Sequence, residues 1–269
     1  MRGIGRLRRV RDIVRFGLES GRKSFWQRLR NPDGASRPVF LMGCGRSGTS
    51  MLIRQLNKSW MIDLYNEDHP AAFDNYRLRS FDTVRALVEQ SRAPVALFKP
   101  ILDTVQTPQL LNDFPDSLVI FAFRRPDDVI NSSLKRFGVQ NRINHIRRWM
   151  HDDFGEFAIA PPPETAKEAV RRHWRPDLSP ESGAALYWLF YNRLYYDLHL
   201  DQSDRVLLMR YETLVSEPED QFPRIADFLG MNYKPVMAAS VFATSIGKDE
   251  TPHVAPQIRQ ECAALYQQM

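Results

Sequence analysis

The stretch PVFLMGCGRSGTS, residues 38–50, decides the fold class of this chain. Residues 38–42 are a short apolar run, which is typical of a buried strand. A glycine-rich loop follows from Gly43 to Gly48, and a helical pattern begins at Thr49. Such a loop points successive N–H groups inward, and the amino end of the helix adds partial positive charge. The sequence therefore predicts an anion-binding loop, and the competing interpretation is an ordinary glycine-rich turn.

The loop departs from the Walker A pattern, G-x-x-x-x-G-K-[ST], at one position. Gly43, Gly48 and Ser50 match, but Thr49 stands where Walker A has the lysine that neutralises nucleotide phosphates. Arg46, inside the loop, is the replacement cation that we expect. The exchange argues against an ATPase or a kinase.

Strand and helix patterns alternate along the rest of the chain. Further short apolar runs that read as buried strands lie at 95–98, 118–123 and 206–209. Helical patterns lie at 49–58, 126–137, 181–200 and 218–229. This alternation predicts an α/β fold of three layers, with a mostly parallel central sheet, helices on both faces and a P-loop-like phosphate-binding loop.

The length of 269 residues fits one large α/β domain. We expect a basic amino-terminal tail or helix over residues 1–36 and a single domain over 37–269. Residues 139–180 break the alternation and are predicted to be an insert beside the carboxyl ends of the strands, where α/β folds bind ligands. Its two tryptophans, Trp149 and Trp174, line an acceptor pocket or fill a core.

The net charge of +5 is concentrated in the tail. Residues 1–30 hold ten of the 37 basic side chains and only two of the 32 acidic ones, so the rest of the chain is slightly acidic. A nucleic-acid partner is therefore not expected. The tail places apolar residues near one helical stripe: Ile4, Leu7, Ile13, Val14 and Leu18.

This basic amphipathic tail has two interpretations: a helix that packs on the domain or is solvated, and a helix that contacts an anionic membrane surface. Two cysteines cannot build a disulfide framework, which favours a reducing compartment. We therefore expect a cytoplasmic protein. If the tail contacts a membrane, we expect a peripheral position at the inner membrane surface.

A second anion-binding element follows the strand at 118–123. A nucleotide triphosphatase typically ends such a strand in an aspartate that holds magnesium, whereas this one ends in Arg124. Ser132 lies in the helix that follows. Arginine offers a planar fork for a phosphate, so this element suits an anion, and the sequence has no cluster with metal-ligand spacing. The competing interpretation is a surface arginine and an unrelated helix serine.

Together these blocks resemble the PAPS-dependent sulfotransferase family, especially its bacterial and Golgi-type branches. RSGTS at 46–50 resembles the family's loop for the 5′-phosphosulfate of PAPS (3′-phosphoadenosine 5′-phosphosulfate), and FRRP at 123–126 with Ser132 resembles its 3′-phosphate motif. The block from 205 to 230 resembles the strand, Tyr-Glu pair and closing helix late in the fold. The resemblance covers roughly residues 37–250.

The resemblance implies a set of donor-binding residues. The 5′-phosphosulfate would be held by Arg46, Ser47, Gly48, Thr49 and Ser50, and the 3′-phosphate by Arg124 and Ser132. Tyr211 matches a tyrosine near the adenine in related enzymes, or it is a core tyrosine. Lys248 matches a glycine-lysine loop near the 3′-phosphate, or it is a solvated lysine.

The resemblance also implies catalytic residues. Lys99 matches a strand lysine, but Ile101 stands where one branch has a catalytic histidine. In other branches a glutamate after the first helix is the base. Glu67 is therefore the predicted base, and Asp68 and His69 are the alternatives.

The expected activity is in-line transfer of a sulfuryl group from PAPS to a hydroxyl or amine acceptor, with a carboxylate base and no metal. Glu67, Lys99 and Arg46 would be catalytic. The acceptor would be a small molecule, a glycan or a lipid. A P-loop small-molecule kinase and a catalytically inactive nucleotide-binding scaffold are the alternative functions.

Overall fold

A computed structural model describes residues 21–32, 34–153 and 160–269. The apolar stripe predicted for residues 4–18 lies outside the described residues. Within them, residues 21–30 are helical (α1).

The central sheet has five strands in the order β2-β5-β1-β6-β7, and every pair is parallel. Its strands are β1 (Arg37–Gly43), β2 (Ile62–Tyr65), β5 (Val95–Phe98), β6 (Leu118–Phe123) and β7 (Val206–Arg210). A separate antiparallel hairpin joins β3 (Phe73–Asp74) to β4 (Arg77–Leu78). The predicted strands at 38–42, 95–98, 118–123 and 206–209 are confirmed. The edge strand β2 was not predicted, because only Ile62 of its four residues is fully buried and so short a strand carries little pattern.

The remaining helices are α2 (Thr49–Leu56), α3 (Phe81–Gln90), α4 (Thr107–Asp113), α5 (Pro126–Phe137), α6 (Asn141–Trp149), α7 (Glu164–His173), α8 (Pro180–Asp197), α9 (Tyr211–Ser216), α10 (Pro218–Phe228) and α11 (Pro256–Gln268). Short 3-10 helices span Ile101–Gln106, Leu200–Gln202 and Pro235–Met237. All four predicted helical patterns coincide with α2, α5, α8 and α10. None of the helices in the described part of the chain is long and apolar enough to cross a membrane.

Side chains alternate between the two faces of the sheet, as the pleat requires. In β1, Val39 and Leu41 face one core with α2, α9 and α10. Phe40 and Met42 face a second core with α3, α4 and part of α8. This arrangement is the predicted three-layer α/β fold with helices on both faces.

A third core lies among α5, α6, α7, α8 and α11. Trp149 is almost fully buried in it, with its ring centroid 4.5 Å from that of Phe190, and Trp174 packs against the same cluster. The two tryptophans of the 139–180 segment therefore fill a core, which is one of the two interpretations given above.

The described end of the tail packs on the domain. In α1, the side chain of Gln27 donates to the carbonyl of Trp60 at 2.9 Å and to the carboxylate of Asp63 at 3.0 Å. Phe25 and Leu29, on another side of α1, are 66% and 65% exposed. This helix is thus docked against the residues around β2 while it leaves two large apolar side chains uncovered.

Candidate functional site

The site lies where β5, β1 and β6 end side by side, because the carboxyl ends of parallel strands meet at one edge of a sheet. The loop after β1 reaches α2 through left-handed backbone at Arg46 (φ 73°) and Gly48 (φ 82°). A Cβ atom on Gly48 would lie 2.1 Å from the ring of Tyr211. Only glycine fits at this position, so the loop can close tightly over the tyrosine.

The interior of the loop contains polar groups without a protein partner among the described residues. Gly48 is the N-cap residue of α2, and no side chain caps the helix there. Ser47 is fully buried, and its Oγ has no hydrogen-bond partner among the described residues. A buried hydroxyl without a partner is costly, and an oxyanion in the loop would satisfy it together with the uncapped helix end.

Cys44, in the same loop, is fully buried. Burial raises the pKa of its thiol to about 12, although the positive charge of Arg142 acts in the opposite direction. The desolvation of the thiolate outweighs its attraction to Arg142. Cys44 is therefore a packing residue and not a reactive thiolate at neutral pH.

On the β5 side of the loop, a lysine and a carboxylate meet. Lys99 Nζ donates to Ser50 Oγ at 3.1 Å and lies 3.2 Å from Glu67 Oε1. The Lys99 side chain is 3% exposed, whereas that of Glu67 is 34% exposed. Parallel pairing places these groups together, since Lys99 follows β5 and Glu67 follows the neighbouring β2. Glu67 thus has one oxygen fixed by a buried cation while the carboxylate still reaches solvent.

The alternatives to Glu67 have other partners. The carboxylate of Asp68 accepts a hydrogen bond from the side chain of Asn66 at 2.7 Å. The ring nitrogen Nδ1 of His69 accepts from the backbone N–H of Ala71 at 3.3 Å. Of the three candidate bases, Glu67 is the one that lies against Lys99.

On the β6 side of the loop, a cleft of about 360 Å³ collects cations. Its lining includes the predicted residues Arg46, Arg124, Ser132 and Lys248. Arg46 Nε donates to Ser132 Oγ at 3.0 Å, so the loop and α5 are bonded across the cleft. These four side chains, from three separate parts of the chain, share one surface.

Arg124 is nine-tenths buried and held from several sides. Its guanidinium stacks on the Tyr211 ring at 4.4 Å, donates to the carbonyl of Ser245 and lies 3.6 Å from the carboxylate of Asp128. Its Nε is buried without a hydrogen-bond partner among the described residues. The arginine is therefore fixed in place and still has an unused donor.

Tyr211 supports both the loop and Arg124. Its ring lies between Gly48 and Arg124, and its hydroxyl shares a 2.6 Å hydrogen bond with Ser245 Oγ. These contacts account for its burial. Proximity to an adenine stays a prediction.

The sequence reasoning missed two further cations of the cleft, Lys135 and Arg136. They stand three and four residues after Ser132 on α5, a spacing that places them on the same side of a helix. Helical spacing from Ser132 was therefore the signal that could have found them. Lys135 also pairs with Asp249 at 2.6 Å, close to Lys248.

The charge balance of the site is positive around Arg46. Its pKa is lowered, first by burial and then by the positive charges of Arg136, Arg124 and Arg142, while Glu67 acts in the opposite direction. Cations that destabilise one another in this way are stabilised when an anion binds between them. Within the described ranges, no three His, Cys, Asp or Glu side chains are grouped to hold a metal ion.

Comparisons with known proteins concern the family and the fold of this chain. A family model described as the sulfotransferase domain matches residues 36–246. A search of curated proteins gives no match.

Three solved structures that carry the name sulfotransferase are similar to this chain. The sulfotransferase domain from the curacin biosynthetic pathway is 16% identical, with a TM-score of 0.53 over 86% of this chain and 98% of that one. The domain from the Synechococcus PCC 7002 olefin synthase is 15% identical, with a TM-score of 0.49 over 87% and 94%. Mouse SULT7A1, complexed with PAP, is 13% identical, with a TM-score of 0.46 over 86% and 84%.

The curacin-pathway domain, with a TM-score above 0.5, has the same α/β fold as this chain. The family model covers more than three quarters of the 269 residues, including the anion loop and the strands that flank it. The chain therefore belongs to the sulfotransferase domain family.

Proposed function

We propose that this protein transfers a sulfuryl group from PAPS to a hydroxyl or amine of an acceptor, with Glu67 as the base. The observation that carries the proposal is the contact of buried Lys99 with both Glu67 and Ser50. It supports the proposal because a carboxylate, a buried cation and the glycine-rich loop meet at one point. General sulfuryl transfer follows from the family, and the donor, base and acceptor class are proposals.

The residues around the loop fit PAPS. The loop from Arg46 to Ser50 would hold the 5′-phosphosulfate, with the unpartnered Ser47 hydroxyl as one donor. The cleft with Arg124, Ser132 and Lys248 would hold the 3′-phosphate, since arginine forks suit phosphate oxygens. One bisphosphorylated nucleotide would then satisfy both sides of the loop.

In the proposed step the acceptor oxygen or nitrogen attacks sulfur, and Glu67 takes the acceptor's proton. The new bond to sulfur forms as the sulfur–oxygen bond to the 5′-phosphate breaks. The electron pair of that bond stays on the leaving adenosine 3′,5′-bisphosphate (PAP). Help from a positioned base is worth about 10²–10⁴-fold in rate.

Negative charge grows on the bridging oxygen and the sulfuryl oxygens during this step. Lys99, Arg46 and the N–H groups of the loop would stabilise it, because fixed donors in a poorly hydrated site need little reorganisation. Of the two side chains, Lys99 is buried and Arg46 is half-buried. We propose that these cations suffice and that the reaction uses no metal, so that EDTA leaves the rate unchanged.

Donor identity is tested by thermal unfolding of the purified protein. PAP should raise the melting temperature, because it binds only the folded state. If ATP with magnesium raises it and PAP does not, the protein is a P-loop kinase or another nucleotide enzyme instead.

Turnover is tested with ³⁵S-labelled PAPS and a panel of phenols, sugars, lipids and peptides. Acceptor-dependent release of PAP supports the enzyme. If the protein binds PAP but sulfates no acceptor, and if Glu67→Gln changes no measured rate, the inactive scaffold is supported.

We also propose that residues 1–36 form a peripheral membrane contact and that residues 37–269 form the sulfotransferase domain, with an insert at about 139–180. The support is the pair of exposed side chains Phe25 and Leu29 on a strongly basic tail. The double variant Phe25→Ser/Leu29→Ser should lose binding to phosphatidylserine vesicles and keep its sulfation rate in solution. Equal vesicle binding by wild type and variant would remove the membrane part of the proposal.

A further inference from the structure

Arg142 is a buried cation of α6 that the proposed mechanism does not use. The residue is only 5% exposed. Its guanidinium carbon lies 3.9 Å from the ring centroid of Tyr187 and 4.5 Å from that of Phe137. The guanidinium therefore lies against two aromatic rings, which restrict its position.

The guanidinium of Arg142 lies close to the anion loop. The atom Nη2 lies 3.6 Å from the position that a Cβ on Gly45 would take. Helix α6 comes this close because Gly183 of α8 has no side chain: a Cβ there would lie 2.5 Å from the Cβ of Ile143. Close packing of α6 on α8 thus brings Arg142 to the loop.

Among the described residues, Arg142 contacts aromatic rings and no carboxylate, and its buried Nε has no hydrogen-bond partner there. Further positive charge lies nearby, since Arg142 is one of the cations that lower the pKa of Arg46. Burial, followed by the charges of Arg142 and Arg148, lowers the pKa of His145 to about 4. A buried guanidinium without a counter-charge is costly unless an anion from outside completes it.

Two other arginines of α6 serve as a contrast. Arg148 binds the carboxylate of Asp153 at 2.8 Å at the surface, and Arg147 donates to the side chain of Asn144 at 2.8 Å. Both are exposed. Arg142 is the arginine of this helix whose charge faces the loop.

The rim beside Arg142 is apolar. Phe137, which covers one face of the guanidinium, is 45% exposed, and Val139 is 56% exposed. Exposed apolar side chains next to a buried cation are typical of a binding surface for an amphipathic molecule.

We propose that Arg142 binds an anionic group of the acceptor, a carboxylate or another oxyanion, while Phe137 packs against the acceptor's apolar part. The proposal rests on the sulfuryl transfer proposed above. It makes the acceptor an acidic, partly apolar molecule whose hydroxyl or amine lies at the loop. Charge-assisted binding by arginine would give acids an advantage over their neutral esters.

The test measures binding to the PAP-saturated protein by calorimetry, so it does not depend on turnover. The probes are 4-hydroxyphenylacetate and 12-hydroxydodecanoate, each against its methyl ester. Wild type should bind at least one acid about 10- to 100-fold more tightly than its ester. Arg142→Gln should abolish that preference, Arg142→Lys should retain part of it, and the matched control Arg147→Gln should keep all of it.

Three results would overturn the proposal: wild type shows no preference for either acid, Arg142→Gln keeps the preference, or Arg142→Gln weakens binding of PAPS relative to PAP. The last result would assign Arg142 to the donor's sulfuryl group. If Arg142→Gln does not fold, as judged by circular dichroism, an unchanged preference in Arg142→Lys is the result that counts against it. Failure of PAP to bind wild type would instead overturn the donor assignment.

Discussion

The two sides of the anion loop are built differently. On the β5 side, one buried lysine meets one carboxylate, Glu67, that reaches solvent. On the β6 side, a cleft gathers several cations around Arg124, and its buried carboxylate, Asp128, already lies against Arg124. The first arrangement suits one proton transfer and one developing charge, whereas the second suits stable binding of a phosphate dianion. Substitutions on the β5 side should therefore lower kcat, and those on the β6 side should weaken nucleotide binding.

The largest effect is expected for Glu67→Gln. Loss of the base should lower kcat by about 10²–10⁴-fold, while the rise in melting temperature with PAP stays as in wild type. Steady-state sulfation assays and thermal unfolding measure the two quantities. Asp68→Asn is the matched control and should keep its rate. A Glu67→Gln enzyme with the wild-type rate would remove this residue from the mechanism.

Lys99→Met should follow, with kcat lowered by about 10²–10³-fold, the usual cost of losing one donor to a developing charge. The same assays apply. Lys99→Arg keeps a cation at this place and should recover part of the rate. If PAP binding falls as strongly as kcat in Lys99→Met, the two sides of the loop are not divided as we describe.

Arg124→Gln should weaken PAP binding about 10- to 100-fold, because a charged hydrogen-bond donor to phosphate is lost. Binding of adenosine 5′-monophosphate, which has no 3′-phosphate, should change much less. Calorimetric titration of both nucleotides gives the comparison. Arg125→Gln, the neighbouring arginine that is not part of the cleft lining, is the control. Equal losses for both nucleotides would contradict a 3′-phosphate site.

The smallest effect is expected for Tyr211→Phe. It removes the 2.6 Å hydrogen bond to Ser245 and keeps the ring beneath Arg124. PAP binding should weaken about 2- to 10-fold, the range for one ordinary hydrogen bond. Tyr233→Phe, which removes an exposed hydrogen bond to Glu219, should have no effect on PAP binding. A loss as large as that of Arg124→Gln would indicate that the hydroxyl contacts the nucleotide.

Much of the fold could be predicted because its pattern is local. A run such as LVIFAF at 118–123 is buried on both faces of a parallel sheet, and it reads as a strand without any knowledge of its partners. The edge strand β2 has no such run. The 139–180 segment was seen only as an interruption, because the burial of α6 and α7 depends on α8, which they contact.

The same division holds for the site. Arg46, Lys99 and Arg124 follow strands or belong to the loop, so their place at one sheet edge could be expected from topology alone. Arg136 carries a weaker signal, its helical spacing from Ser132. No sequence signal indicates that Arg142 lies at the site, because its approach to Gly45 depends on the close contact of α6 with Gly183.

The sequence by itself determined the strand–loop–helix unit, the cations that follow the neighbouring strands and the absence of a Walker lysine. Each of these is encoded within a few neighbouring residues. Only the tertiary structure decided that Glu67, and not Asp68 or His69, lies against Lys99, and that Arg142 is buried with its Nε unpartnered among the described residues. The physical reason is that the interaction of two side chains depends on the distance between them and on their burial. Those depend on how β2 meets β5 and how α6 meets α8.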